Sequence, residues 1–147
     1  MTLYNARLQH DRTISRFKDT AYSGTYRSDG KLVAAGGESG IVQVFDAGSR
    51  SLLRQLTGHK RPVHSVAFGA DKIHLVSAGD DATVRWWDVP SGSQIGRMDG
   101  HTDYVRTAAL SPNSEELIAT GGYVFQIYAL VFREKNLIFH LESVSNL

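Results

Sequence analysis

The 147-residue chain contains no cysteine, which excludes disulfides and every zinc site built on thiolates. That absence fits a reducing compartment. Charge of one sign is not in excess: 16 Lys and Arg stand against 15 Asp and Glu, for a net charge of +1. So no global field recruits nucleic acid or an anionic membrane. Long apolar runs are missing too. Residues 1–11 have no continuous apolar core of the kind a signal peptide needs. The longest strongly apolar run, Ile127 to Phe132, is far too short to span a bilayer. The expectation is a soluble intracellular protein with no membrane partner. With 41% hydrophobic and 21% charged residues, wholesale disorder is not indicated.

What the sequence does contain is a ruler. Gly58-His59 recurs as Gly100-His101, 42 residues on, and Phe45-Asp46 anticipates Trp87-Asp88 at the same spacing. Between them lie short alternating segments broken by Gly and Asp turns, the pattern of an antiparallel meander. In the best-preserved repeat, Val63 to Phe68, Ile73 to Ser77, Thr83 to Trp87 and Gln94 to Met98 read as four strands. The repeat before it offers Ala21 to Tyr26, Leu32 to Ala35, Ile41 to Phe45 and Leu52 to Leu56. Leu3-Tyr4-Asn5 and Arg12-Thr13-Ile14 read as the last two strands of a preceding unit, with an irregular arm as the alternative.

A period near 40–45 residues bounded by Gly-His and Trp-Asp resembles the WD40-repeat family. The resemblance implies an all-β chain: a partial WD40 β-propeller of about two and a half to three four-stranded antiparallel blades, unclosed. A propeller has typically 4–8 blades, so a chain of this length is expected to be a fragment or to close with copies of itself. The expected division is 1–16, the end of a preceding blade; 17–57 and 58–99, two blades; and 100–123, the start of a third. Residues 124–147 carry no Gly, Asp or Trp-Asp marker and read as a tail outside the repeat. Val124 is encoded by a codon beginning GT, the dinucleotide that opens most introns, so translated intron is one expected source. Such a tail would leave an apolar, strand-prone segment without partners.

His59, Ser77, Asp81 and Trp87 fall where WD40 blades place a buried hydrogen-bonded tetrad. A histidine can bridge a turn carboxylate and a strand hydroxyl, and that hydroxyl can accept from an indole N–H. The other repeats keep only parts of it: Ala35 and Ser39 replace Ser77 and Asp81 in one, and His101 and Thr120 remain in the other. A Ser, a His and an Asp could also suggest hydrolase chemistry, but the Gly-x-Ser-x-Gly elbow is absent and the hydroxyl lies within a strand. No enzymatic role is expected. Neither His59 and His64 nor the remaining His10, His74 and His140 are joined by an acidic cluster at ligand spacing. Gly36-Gly37-Glu38-Ser39-Gly40 lacks the Lys-Ser/Thr of a phosphate loop. No metal, cofactor or small-molecule substrate is therefore expected. Candidate partner-binding residues are Lys60, Arg61, Tyr104 and Arg106, in the regions after the Gly-His pairs where propellers open one face, and Asp80 in the turn Gly79-Asp80-Asp81-Ala82. They could contact peptide or RNA backbone, or form an ordinary solvated rim.

Beyond the general template, the stretches Arg12 to Asp19 with Ala21 to Gly24, Arg27 to Leu32, Ala35 to Glu38, Val42 to Asp46, Trp87 to Pro90 and His101 to Arg106 resemble WD40 scaffolds of the nucleolar small-subunit processome. That likeness covers roughly residues 2–123. It implies a scaffold in pre-18S rRNA processing and ribosome small-subunit biogenesis, with processome proteins and the U-three snoRNP with pre-rRNA as partners, in the nucleus and nucleolus. The resemblance implies a full propeller and a helical C-terminal domain, and these 147 residues are expected to hold neither. The alternative is a generic WD40 adaptor such as a cullin ubiquitin-ligase substrate receptor. Against it, neither Trp87-Asp88-Val89-Pro90 nor Phe45-Asp46-Ala47-Gly48 carries the Arg of Trp-Asp-x-Arg.

Overall fold

The computed structural model describes residues 1–4, 10–13, 17, 19–111, 117–122, 127–133 and 136–138. Strands β1 (Thr2–Tyr4) and β2 (His10–Thr13) form a two-stranded antiparallel ribbon. Asn5 and Ile14, expected at the ends of these strands, lie outside the described residues. Three four-stranded antiparallel sheets follow, each pairing its strands in chain order. The first holds β3 (Ala21–Tyr26), β4 (Leu32–Gly37), β5 (Val42–Asp46) and β6 (Leu52–Leu56). The second holds β7 (Val63–Phe68), β8 (His74–Gly79), β9 (Val84–Asp88) and β10 (Ser93–Met98). The third holds β11 (Val105–Leu110), β12 (Leu117–Gly122), β13 (Ile127–Arg133) and β14 (Asn136–Ile138). Together they form part of an unclosed β-propeller. Among the described residues no helix is long and apolar enough to cross a membrane.

The segment 127–133 has partners, contrary to the expectation of an unpaired tail. It runs antiparallel to β12 from Leu117↔Val131 to Gly121↔Ile127, and Val131 to Arg133 pair with β14. The reason is composition: Ile-Tyr-Ala-Leu-Val-Phe is rich in β-branched and aromatic residues and fits a sheet without the repeat's marker residues. The rest of 124–147 lies outside the described residues.

Each sheet has an apolar face that only the next sheet can cover. Ala34, Val42, Val44 and Leu56 of the first blade meet Val63, Val66, Leu75, Trp87 and Val89 of the second. Val76, Ala78, Val84, Trp86 and Met98 of the second meet Val105, Ala108 and Ile118 of the third. Phe17, Val33, Ala35 and Phe45 form a smaller cluster on the first blade's other face, with Met1 against it. Polar ties repeat along the seams. Ser23 Oγ accepts the Val66 N–H at 3.2 Å, and Ser65 Oγ accepts the Ala108 N–H at 3.1 Å.

The hairpin turns place a left-handed residue at the same points of both complete repeats. The pairs are Gly30 and Lys72, Gly40 and Ala82, and Arg50 and Gly92, all with φ between 61° and 75°. Each pair sets one glycine against one residue for which that conformation costs about 1–2 kcal/mol. Room decides which exchange is tolerated. A Cβ on Gly40 would stand 2.9 Å from the Arg61 carbonyl oxygen and 3.0 Å from that of His59, both backbone atoms. Ala82→Gly should therefore stabilise the chain by roughly 1 kcal/mol, while Gly40→Ala should destabilise it by more than that. Urea unfolding midpoints of the two variants check this; equal shifts in the same direction would refute it.

Candidate functional site

The functional candidates gather at one end of the strands, where β3, β7 and β11 begin and β4, β8 and β12 end. The second blade is ordered there by a buried chain of hydrogen bonds. Trp87 Nε1–H donates to Ser77 Oγ at 2.9 Å, and Ser77 Oγ lies 2.8 Å from His59 Nε2. His59 Nδ1 lies 2.9 Å from Asp81 Oδ1. One donor serves each step if Ser77 donates to Nε2 and His59 donates its Nδ1–H to Asp81. Thr83 Oγ1 and the Lys60 N–H also donate to Asp81, at 2.8 and 3.1 Å. Burial raises the Asp81 pKa, but the His59 hydrogen bond and charge, with Thr83 and Lys60, outweigh it and hold the carboxyl well below its ordinary 3.8. The network ties the loop before β7 to the turn after β8. Gly79 between them has no room for a side chain, since a Cβ would meet the Pro62 carbonyl oxygen at 2.8 Å.

The other blades solve the same problem with fewer parts. Ser39, in the place of Asp81, receives its carboxylate from elsewhere: Asp19 Oδ2 accepts the Ser39 N–H at 2.7 Å, and its other oxygen accepts the Thr20 N–H. The acid has moved from the turn to the preceding loop. In the third blade His101 Nε2 lies 2.8 Å from Thr120 Oγ1. Burial pushes the His101 pKa below its ordinary 6.5. Val124, in the place of Asp81, lies outside the described residues.

A bulge opens each inner strand at the same point, with register shifts between Ala21 and Ser23, Val63 and Ser65, and Val105 and Thr107. The bulged residues are Tyr22, His64 and Arg106, spaced 42 apart. A bulge re-aims the side chain it carries, and here it brings the three into one row across the seams. The Tyr22 and His64 rings stack with centroids 4.8 Å apart and planes 2° from parallel. Arg106 Nη1 reaches His64 Nε2 at 2.6 Å, and its guanidinium sits 5.2 Å from the centre of the Tyr104 ring. Asp80 Oδ1 lies 3.0 Å from His64 Nε2 and 3.6 Å from Arg106 Nη1. The Tyr22 hydroxyl donates to Glu38 Oε2 at 2.6 Å, a bond that raises the Tyr22 pKa. Tyr22 and Tyr104 remain 44% and 37% exposed, large planar groups open to solvent.

Of the residues nominated from sequence, Asp80, Tyr104 and Arg106 thus share one cluster. Lys60 and Arg61 stand apart, and among the described residues no contact joins their side chains to it. Tyr22, His64 and Glu38 were missed. The signal for the first two was available, since both lie on the 42-residue ladder that passes through Arg106. Among the described residues no group of three or more His, Cys, Asp or Glu is placed to hold a metal ion.

The family described as "WD domain, G-beta repeat" matches residues 50–88 and 92–123. Relatives called U3 small nucleolar RNA-associated protein 15 are similar over part of the chain. The Xenopus laevis homolog is 56% identical over 64 residues, 44% of this chain and 12% of the relative. The Schizosaccharomyces pombe protein is 58% identical over 57 residues, 39% of this chain and 12% of that one. The Saccharomyces cerevisiae protein is 43% identical over 58 residues. The matched stretch therefore spans only about an eighth of these relatives' length.

Trp87→Phe keeps the buried ring but removes the donor to Ser77, and should cost about 1–3 kcal/mol in urea unfolding. Acid should act on Asp81 in a defined window. Its pKa is depressed in the fold, so its contribution is present above the unfolded value near 3.8 and is lost as pH falls below it. Asp81→Asn should flatten the stability profile below about pH 4; an unchanged acid slope would refute the assignment.

Proposed function

We propose that this chain, whose residues 50–88 and 92–123 match the WD40 repeat, is a non-enzymatic scaffold segment for protein and RNP assembly in nucleolar pre-18S rRNA processing and small-subunit biogenesis. The observation that carries this is the 56–58% identity to relatives named for their association with U3 small nucleolar RNA. On this reading processome proteins and the U3 snoRNP with pre-rRNA are the partners, and the nucleolus is the site of action. We read 1–16 as the end of a preceding blade, 17–57 and 58–99 as blades, 100–123 as the start of a third, and 124–147 as a tail without the repeat's marker residues, of which 127–133 and 136–138 complete the third sheet.

The chemistry of the rim supports docking to protein. Tyr and Arg dominate binding hot spots because they combine large planar contact area with hydrogen-bonding ends. Tyr22, Tyr104 and Arg106 present that combination. Glu38 and Asp80 stand within the same row, and their carboxylates oppose the phosphate backbone of a nucleic acid. RNA then reaches the assembly through its protein partners. Lys60 and Arg61 are exposed on the loop before β7.

A tagged copy of the chain expressed in cells should concentrate in nucleoli and recover processome proteins together with U3 RNA. The double variant Tyr22→Ala/Arg106→Ala should reduce that recovery at least fivefold while leaving the second blade's tetrad, which neither residue joins, in place. Recovery of cullin adaptors in place of U3 RNA would overturn the reading in favour of a ligase receptor.

A further inference from the structure

An acid in the turn of each complete blade stands in the same relation to that blade's bulged residue. Glu38 and Asp80 are 42 apart, as are Tyr22 and His64. In the first blade a proton closes the relation: the Tyr22 hydroxyl donates to Glu38 Oε2 at 2.6 Å. In the second blade nothing closes it. Asp80 Oδ1 stands 3.0 Å from His64 Nε2, yet this buried oxygen accepts no hydrogen bond among the described residues. A buried carboxylate oxygen without a donor is costly and calls for a reason.

The reason is Arg106. Its Nη1 lies 2.6 Å from His64 Nε2 and 3.1 Å from Nδ1. A guanidinium only donates, so the ring must accept. An imidazolium cannot accept, because both its nitrogens carry hydrogen. The contact is therefore that of a neutral ring, with Nε2 given to Arg106 across the seam between the second and third blades. The groups facing His64 come from several elements. Tyr22 of β3 stacks on it; behind Tyr22 stand Glu38, which accepts its hydroxyl, and Asp19, whose charge reaches that hydroxyl. Asp80 faces it from the turn after β8, and Arg106 from β11 with the Tyr104 ring 5.2 Å from the guanidinium. Lys60 and Arg61 precede it on the loop before β7.

We propose that His64 is a proton switch for Arg106. A proton taken up at Nε2 turns that nitrogen from acceptor to donor. The ring then gives up Arg106 and donates to Asp80 Oδ1, the bond that oxygen lacks, and the second blade gains what Tyr22 and Glu38 already hold in the first. The Arg106 side chain, 42% exposed, meets a like charge at contact distance and swings toward solvent. There its guanidinium can take a carboxylate of an acidic partner segment in a charge-assisted bond. Histidine suits the task because its charge ordinarily changes between about pH 5 and 8. The consequence for docking rests on the reading of this row as a partner surface; the switch itself does not.

NMR of the free 147-residue chain, titrated from about pH 8 to pH 5, tests the switch without a partner. As the His64 ring signals move to their protonated positions, Overhauser contacts between that ring and the Arg106 side chain should fade with the same midpoint. In His64→Gln, where an amide oxygen still accepts but takes up no proton, Arg106 should stay in place across the range. Asp80→Asn, which removes the charge awaiting the proton, should move the transition to lower pH by about one unit or more. Arg106 contacts that persist once the ring is protonated would overturn the proposal. So would an unchanged midpoint in Asp80→Asn, or a loss of Arg106 contacts in His64→Gln over the same range. These readouts come from the chain alone, whereas the docking surface is judged by recovery of processome proteins and U3 RNA, so failure of one is distinguishable from failure of the other.

Discussion

No blade of this chain can bury its own apolar faces. A four-stranded antiparallel sheet has two, and the strands here are apolar on both: β4 and β8 read as almost unbroken buried runs. The only cover is the next sheet, so every structural feature answers to the seam. The hydroxyls of Ser23 and Ser65 tie one inner strand to the next at equal offsets. The two apolar clusters at the seams each draw residues from both blades. Stability in such an array comes from the interface between units as much as from the units. The hydrogen-bonded tetrad belongs to the same logic. It fixes the loop entering the second blade against that blade's own turn, so the inner strand presents the same surface to both neighbours.

Much of this was legible because the repeat turns sequence distance into spatial equivalence. Once His59 and His101 were matched, the strands and turns followed, as did the meeting of His59 with Asp81 and Ser77 and, through Ser77, with Trp87. What the spacing could not reveal was compensation. Ser39 looked like a defect, because an acid suits that turn. Asp19 meets the need from twenty residues earlier, and nothing in a position-by-position comparison pairs a loop acid with a turn backbone. The third strand of the last blade was missed for a related reason. Marker residues identify a repeat, but a sheet asks only for β-prone residues in register. Ile127 to Arg133 meets that weaker requirement.

The rim row shows how a local irregularity brings distant residues together. In an unbulged strand, Tyr22, His64 and Arg106 would alternate faces with their neighbours and sink into the seams. The bulge rotates each toward the open end. Three residues separated by 42 positions then come within hydrogen-bond or stacking distance. Sequence alone carried the spacing but not the bulge, so Arg106 and Tyr104 could be nominated without the partners that order them.

Constancy and divergence therefore divide the labour. The left-handed turns, the seam hydroxyls and the buried histidines recur because each blade must join the next in the same way. The residues that differ at equivalent positions are free of that demand: Tyr, His and Arg along the rim, Val against Trp in the seams. Asp80 lies within 4 Å of His64 and Arg106 on the rim, so its charge is opposed at close range and, on the proposed reading, a partner is held there by shape and bond geometry rather than by long-range attraction.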